Sequence, residues 1–178
     1  MLQIKGNKYK ILKLFFDFPL TSFYLREISR KTKISTPSVK KYLNELIKEN
    51  LVVKVEKGIY PTFVANRDGD EGEFKFYKGI YNLEILKSSG LGEFIDNKCA
   101  PLSIILFGSF FRGEDIENSD IDLFIQSDEK DLNLKKFEKK LNREINLFFE
   151  KDFSRINKNL KNNILNGLVI SGYLKGFK

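Results

Sequence analysis

Histidine is absent from all 178 residues, which removes the usual zinc ligand sets and the commonest general base. Cysteine is nearly absent. Cys99 is the only one, so no intrachain disulfide can form, and a lone cysteine beside apolar sequence reads as a small buried hydrophobe. Long apolar runs are also missing. Residues 11–20 come nearest, but Lys13, Asp17 and Pro19 interrupt them, leaving neither a signal peptide nor a membrane span. The expectation is a cytoplasmic protein with no membrane partner. Internal repeats and low-complexity segments are lacking as well.

The chain is rich in charge, unevenly spread. Residues 1–66 hold 13 Lys and Arg against 5 Asp and Glu, a net +8, whereas residues 67–178 hold 18 against 19, a net −1. The formal +7 therefore belongs almost wholly to the N-terminal part. Such asymmetry points to a polyanionic partner for that part, or to a basic surface that only keeps the protein soluble. The length suits one large or two small domains. The sharpest change in composition is Arg67 to Glu73, with four acids and two glycines in seven residues. This sets expected boundaries at 1–66 for an N-terminal domain, 67–98 for a hinge with connecting helices, and 99–178 for a C-terminal domain.

Tyr9, Leu12 and Phe16 share one face of a first helix, from about Lys5 to Phe16, which Pro19 closes. A second helix is expected from about Phe23 to Thr32, with Leu25 and Ile28 inward. Ser35 reads as an N-cap and Pro37 lies in the first turn of a third helix running to about Glu49. Val39, Leu43, Leu46 and Ile47 form its buried stripe, leaving Thr36, Ser38, Lys40, Lys41 and Asn44 exposed. Leu51 to Val55 and Ile59 to Val64 then read as a hairpin through Glu56-Lys57-Gly58. Phe74, Tyr77, Ile80, Tyr81 and Ile85 recur at helical spacing, either as a helix docking two domains or as a homodimer seam.

The C-terminal part centres on a buried strand, Leu102 to Phe107, running into Gly108-Ser109-Phe110-Phe111-Arg112-Gly113. Ser119-Asp120-Ile121-Asp122-Leu123 follows. Residues i and i+2 of a strand project to one side, so Asp120 and Asp122 point together while Ile121 and Leu123 face apolar packing. Two such carboxylates repel unless a cation lies between them, and hard oxygen ligands suit Mg²⁺ or Mn²⁺. Gly108 and Ser109 open a helix start whose free N–H groups suit a phosphate. A solvated strand edge beside an ordinary turn is the plainer reading of either piece alone. Further on, a helix is expected from about Asp131 to Arg143, a strand from Glu144 to Phe149, a helix from about Asp152 to Leu165, and a closing strand from Gly167 to Tyr173.

Gly-Ser, ten residues, then Asp-x-Asp, with the Arg112-Gly113 step and Ser119 before the first Asp, resembles the minimal nucleotidyltransferase branch of the DNA polymerase beta superfamily. The resemblance covers roughly Leu91 to Tyr173. It implies an α+β protein whose C-terminal domain is a mixed sheet with flanking helices. It also implies a nucleoside triphosphate as substrate or ligand, a metal on Asp120 and Asp122, and nucleotide contacts from Gly108, Ser109, Arg112 and Ser119. Arg112 has a second reading, a surface ion pair with Glu114 or Asp115. In that family a third acid stands on the next strand, and the matching position here is Asn146. An amide cannot take up a proton, so binding is expected to outlast turnover. Glu144 is the weaker candidate to replace the acid, being displaced by about 6 to 7 Å along the strand.

Residues 1–66 resemble a winged helix-turn-helix domain of three helices and a β-hairpin. The resemblance assigns Thr36, Ser38, Lys40 and Lys41 to double-stranded DNA, with Lys54 and Lys57 on phosphates from the wing. A protein-binding module and a solvated helix face are the alternatives. Minimal nucleotidyltransferases often act as antitoxins that modify a HEPN-type toxin, which implies transfer of a nucleotidyl group to a protein acceptor. The competing expectation is a transcription regulator whose C-terminal domain has lost chemistry and serves ligand binding or dimerisation. A third reading, an RNA-modifying enzyme, lacks any sign of an extra RNA-binding domain.

Overall fold

The computed structural model describes residues 6–56, 58–68 and 72–176. Lys57 and the middle of the acidic 67–73 stretch lie outside the described residues. The chain divides into two units, Met1–Lys78 and Gly79–Lys178. Helices and two sheets make it an α+β protein.

The first unit opens with α1, Asn7–Asp17, which buries Ile11, Leu12, Phe15 and Phe16. Burial of each such side chain contributes about 1.5–3 kcal/mol. Phe23 and Tyr24 form a short strand, β1, rather than the first turn of the expected helix. Phe23 pairs with Phe63 across the sheet and packs edge-on against Phe15 at 5.5 Å, so a long-range partner overrides the local helical pattern. Helix α2, Leu25–Thr32, follows and ends at Lys33 in the left-handed conformation. The Ser29 hydroxyl donates to the Ile34 carbonyl at 2.6 Å and closes the tight turn before α3, Thr36–Lys48. Ser35 occupies the N-cap, but its hydroxyl donates to Ser38 Oγ at 2.9 Å and caps no backbone N–H. Val39, Leu43 and Leu46 are buried as the helical spacing requires, and Asn50 takes the left-handed conformation just beyond the helix. Strands β2, Val52–Val55, and β3, Thr62–Ala65, pair antiparallel, giving the order β1-β3-β2.

Helix α4, Glu73–Ser89, contains the division between the units. In the second unit come α5, Leu91–Cys99, the central strand β4, Ser103–Phe107, and the short α6, Gly108–Arg112. Strand β5, Ile121–Ile125, runs antiparallel to β4, and β6, Ile145–Phe149, runs parallel to β5 through helix α7, Lys135–Leu141. Helix α8, Lys158–Leu165, leads to β7, Leu168–Gly172, antiparallel to β4. The sheet order is β6-β5-β4-β7.

Every residue of β4 is buried because both faces of the sheet are covered. Ile104, Leu106, Leu123 and Ile125 pack with Leu91, Ile95, Phe137 and Leu141 on one face. Ile105, Phe107 and Phe124 pack with Phe153 and Ile164 on the other. Cys99 lies in the first of these layers, and burial pushes its thiol pKa up. Gly172 lies so near Leu102 that a side chain there would strike its carbonyl oxygen, and a Cβ on Gly167 would come 2.6 Å from Leu106 O. The glycines bounding the closing strand thus let β7 run tight against the β4 segment.

Two expected helices are shorter than their apolar patterns. The 131–143 pattern is helical only from Lys135, whose N–H is accepted by the Asn133 side chain at 3.2 Å. The 152–165 pattern splits in two. Asp152 caps a 3-10 turn at Phe153–Arg155, and Asn157 starts α8 by accepting the Leu160 N–H at 2.9 Å. Among the described residues, no helix is long and apolar enough to cross a membrane.

Candidate functional site

The end of β4, the loop before β5 and the start of β6 meet at one corner of the second unit. Phe107 is paired with Asp122, and Asp122 with Asn146, so the sheet register itself brings Gly108, Asp122 and Asn146 side by side. Asp120, just ahead of β5, projects with Asp122, while Ile121 and Leu123 are fully buried on the opposite face. Both carboxylates and Asn146 are half-buried.

Gly108 has a specific steric reason to be glycine. Its φ is +81°, and a Cβ there would lie 2.5 Å from Asp122 Oδ2. The missing side chain leaves the space that the carboxylate fills. Ser109 follows in α6, half-buried, and its backbone carbonyl accepts the Glu114 N–H at 3.0 Å. The amide of Asn146 donates to Asp120 Oδ2 at 3.2 Å and to Asp122 Oδ1 at 3.1 Å, bridging the pair.

The other expected contacts are engaged within the protein. Ser119 Oγ accepts the Ile116 N–H at 2.9 Å and shapes the turn that delivers Asp120. Arg112 donates to Glu114 at 2.7 Å, an exposed pair of the kind worth about 0–1 kcal/mol. Glu144 lies outside β6, and its carbonyl accepts the Ile121 N–H at 2.9 Å. Glu117, Ser119, Asp120, Glu138, Arg143 and Glu144 share an open depression of about 510 Å³ beside the pair. Among the described residues no group of three His, Cys, Asp or Glu is arranged to hold a metal, so the acid pair is a two-carboxylate site.

Sequence reading missed the group that holds the loop in place. Asp115 is 1% exposed and receives Arg143 Nη2 at 2.8 Å and Asn82 Nδ2 at 2.7 Å. Asn82 also donates to the Phe110 carbonyl at 2.7 Å, tying α4 to α6. Arg143 reaches the Ile116 carbonyl as well. Gly79 was the available signal for this approach. A glycine inside a helix often marks close packing, and a Cβ there would stand 2.9 Å from Phe111 O.

In the first unit, Lys40 and Lys41 are exposed on α3, and the Lys41 ammonium lies 5.8 Å from the Tyr42 ring centroid. Thr36 and Ser38 are half-buried. The Thr36 hydroxyl lies 3.4 Å from Ser29 Oγ, and Ser38 accepts from Ser35. Lys54 pairs with Glu56 and holds its carboxyl below the usual range through a hydrogen bond and direct attraction.

Residues 90–173 match the family described as Polymerase beta, Nucleotidyltransferase, which covers just under half of the chain. No curated protein and no solved structure matches this chain. The second unit therefore carries a nucleotidyltransferase-like domain.

Proposed function

We propose that the chain is a DNA-binding protein whose nucleotidyltransferase-like domain holds a nucleoside triphosphate with Mg²⁺ or Mn²⁺. The observation that carries this reading is the convergence of Asp120 and Asp122 beside Gly108, on the corner where β4, β5 and β6 meet. Mg²⁺ is commonly bound by one or two carboxylates plus substrate phosphates, so the two acids fit a cation that arrives with its nucleotide. They do not supply the acids for a second one. A cation there would neutralise charge on the phosphates. Ser109 offers a hydroxyl to the phosphates, and Arg112 can exchange its weak Glu114 partner for a phosphate oxygen. Ser119 acts through the turn it holds.

Transfer of a nucleotidyl group to a protein acceptor, a HEPN-type toxin in particular, is the activity the family resemblance extends to. A second reading is favoured by Asn146. With an amide donating to both carboxylates, position 146 itself cannot take a proton from an attacking hydroxyl, and the nucleotide is held as a signal. Nucleotides labelled at the α-phosphate, incubated with Mg²⁺ and a lysate of the source cell, separate the two. Label is expected on an acceptor with Asn146→Asp and not with the native chain. Label with the native chain would establish an enzyme that tolerates Asn146.

For the first unit the reading is a winged helix-turn-helix. It is supported by the order of three helices and three strands, the tight α2–α3 turn, the +8 charge of residues 1–66 and the exposed Lys40 and Lys41. Lys40→Ala with Lys41→Ala is expected to weaken duplex binding and lower the slope of log affinity against log salt by about 2, roughly 0.9 per phosphate contact. Fluorescence anisotropy across a salt series measures both. Binding insensitive to salt and to both substitutions would point to a protein partner.

A further inference from the structure

We infer that Asn146 holds the Asp120 and Asp122 pair against a bare divalent cation, so that the pair accepts a cation only in company with phosphate oxygens. The inference rests on the reading of this corner as a metal-nucleotide site, and it concerns what the site does before the nucleotide arrives. Among the described residues neither carboxylate forms an ion pair with a lysine or arginine. Their mutual repulsion is relieved instead by one uncharged group, the Asn146 amide, at 3.2 Å from Asp120 Oδ2 and 3.1 Å from Asp122 Oδ1. The orientation of that amide follows from chemistry. An amide oxygen turned toward two carboxylates would add a third acceptor to a place that already lacks donors, whereas the NH₂ group supplies one hydrogen to each.

The arrangement engages one oxygen of each carboxylate. Asp122 Oδ2 is packed at the bare backbone of Gly108, where a Cβ would approach to 2.5 Å, and Asp122 Oδ1 is taken by the amide. A cation settling between the carboxylates must displace two hydrogen bonds to charged acceptors. While the amide keeps its hydrogens on the acids, it would find two carboxylates there and no third acid among the described residues. Phosphate oxygens of a bound triphosphate make up the missing ligands, which is the usual way Mg²⁺ is held at two-carboxylate sites. An acid at position 146 would attract a lone cation, whereas the amide excludes it.

Mn²⁺ titrated into the full chain without nucleotide, with free Mn²⁺ followed by electron paramagnetic resonance, tests this. Asn146→Ala is expected to bind Mn²⁺ about tenfold or more tighter than the native chain, the equivalent of about one hydrogen bond to a charged group. Equal or weaker binding by the variant would overturn the inference. A second measurement needs no substitution. In the native chain the side-chain NH₂ signals of Asn146 are expected to stay in place when Mg²⁺ is added alone. A saturable shift with Mg²⁺ alone would overturn the inference. Nucleoside triphosphate with Mg²⁺ is then added to the native chain. If no triphosphate binds while Asn146→Ala still gains Mn²⁺ affinity, the nucleotide reading falls and the exclusion of bare cation by Asn146 stands.

Discussion

Asp115→Ala or Arg143→Ala is expected to destabilise the second unit by about 3 to 5 kcal/mol, because each substitution leaves its partner charge uncompensated. The Asp115 side chain is fully buried and that of Arg143 is 9% exposed, so water cannot replace the lost partner. The loss extends beyond one ion pair. Asp115 also receives Asn82, and Arg143 also reaches the Ile116 carbonyl, so the loop from Gly113 to Ser119 loses its anchors to α4 and to the chain beyond α7 together. That loop ends where Asp120 begins. A few kcal/mol is a large share of the 5–15 kcal/mol typical of a folded domain. Denaturant unfolding should show the second unit shifting strongly, while Arg112→Ala, whose partner Glu114 is exposed, shifts it by about 1 kcal/mol or less. Equal, small effects from Arg112 and Arg143 would mean that the loop does not depend on this network.

The acid pair was legible in the chain because strand alternation is a local rule. Ile121 and Leu123 go to the buried face of β5, while Asp122 and Asp120, just ahead of the strand, meet the same Asn146 amide. The Gly108-Ser109 turn was legible as a turn. The reason for its glycine, an Asp122 oxygen fourteen residues away in sequence, was not. Asn146 was visible as a departure from a family pattern. That its hydrogens join the two acids depends on the β5 and β6 register, which no local signal gives. The Asn82, Asp115 and Arg143 group escaped for the same reason, its members lying 28 and 33 residues apart.

Element ends tell a similar story. Phe23 and Tyr24 carry an apolar pattern compatible with a helix and were turned to strand by pairing with Phe63 and Thr62. In the 152–165 segment the information was local after all. Asp152 and Asn157 are both good N-caps, and each starts its own short helical piece. Apolar periodicity across the two pieces concealed the break at Ile156.

The second large effect is expected at the acid pair itself. If the corner formed by Gly108, Asp120 and Asp122 holds a metal-nucleotide, Asp120→Ala with Asp122→Ala removes both protein ligands of the cation. It should lower nucleotide affinity by about 100-fold or more, since contacts to charged groups are worth about 1.5–3 kcal/mol each. The fold should survive, because neither carboxylate belongs to a buried layer and their mutual repulsion is removed with them. Calorimetric titration of ATP and GTP into the full chain, with and without Mg²⁺, measures this most directly. Saturable binding by the native chain that requires Mg²⁺ and disappears in the folded double variant is the predicted result. Binding that is indifferent to Mg²⁺, or that the double variant retains at native affinity, would contradict it.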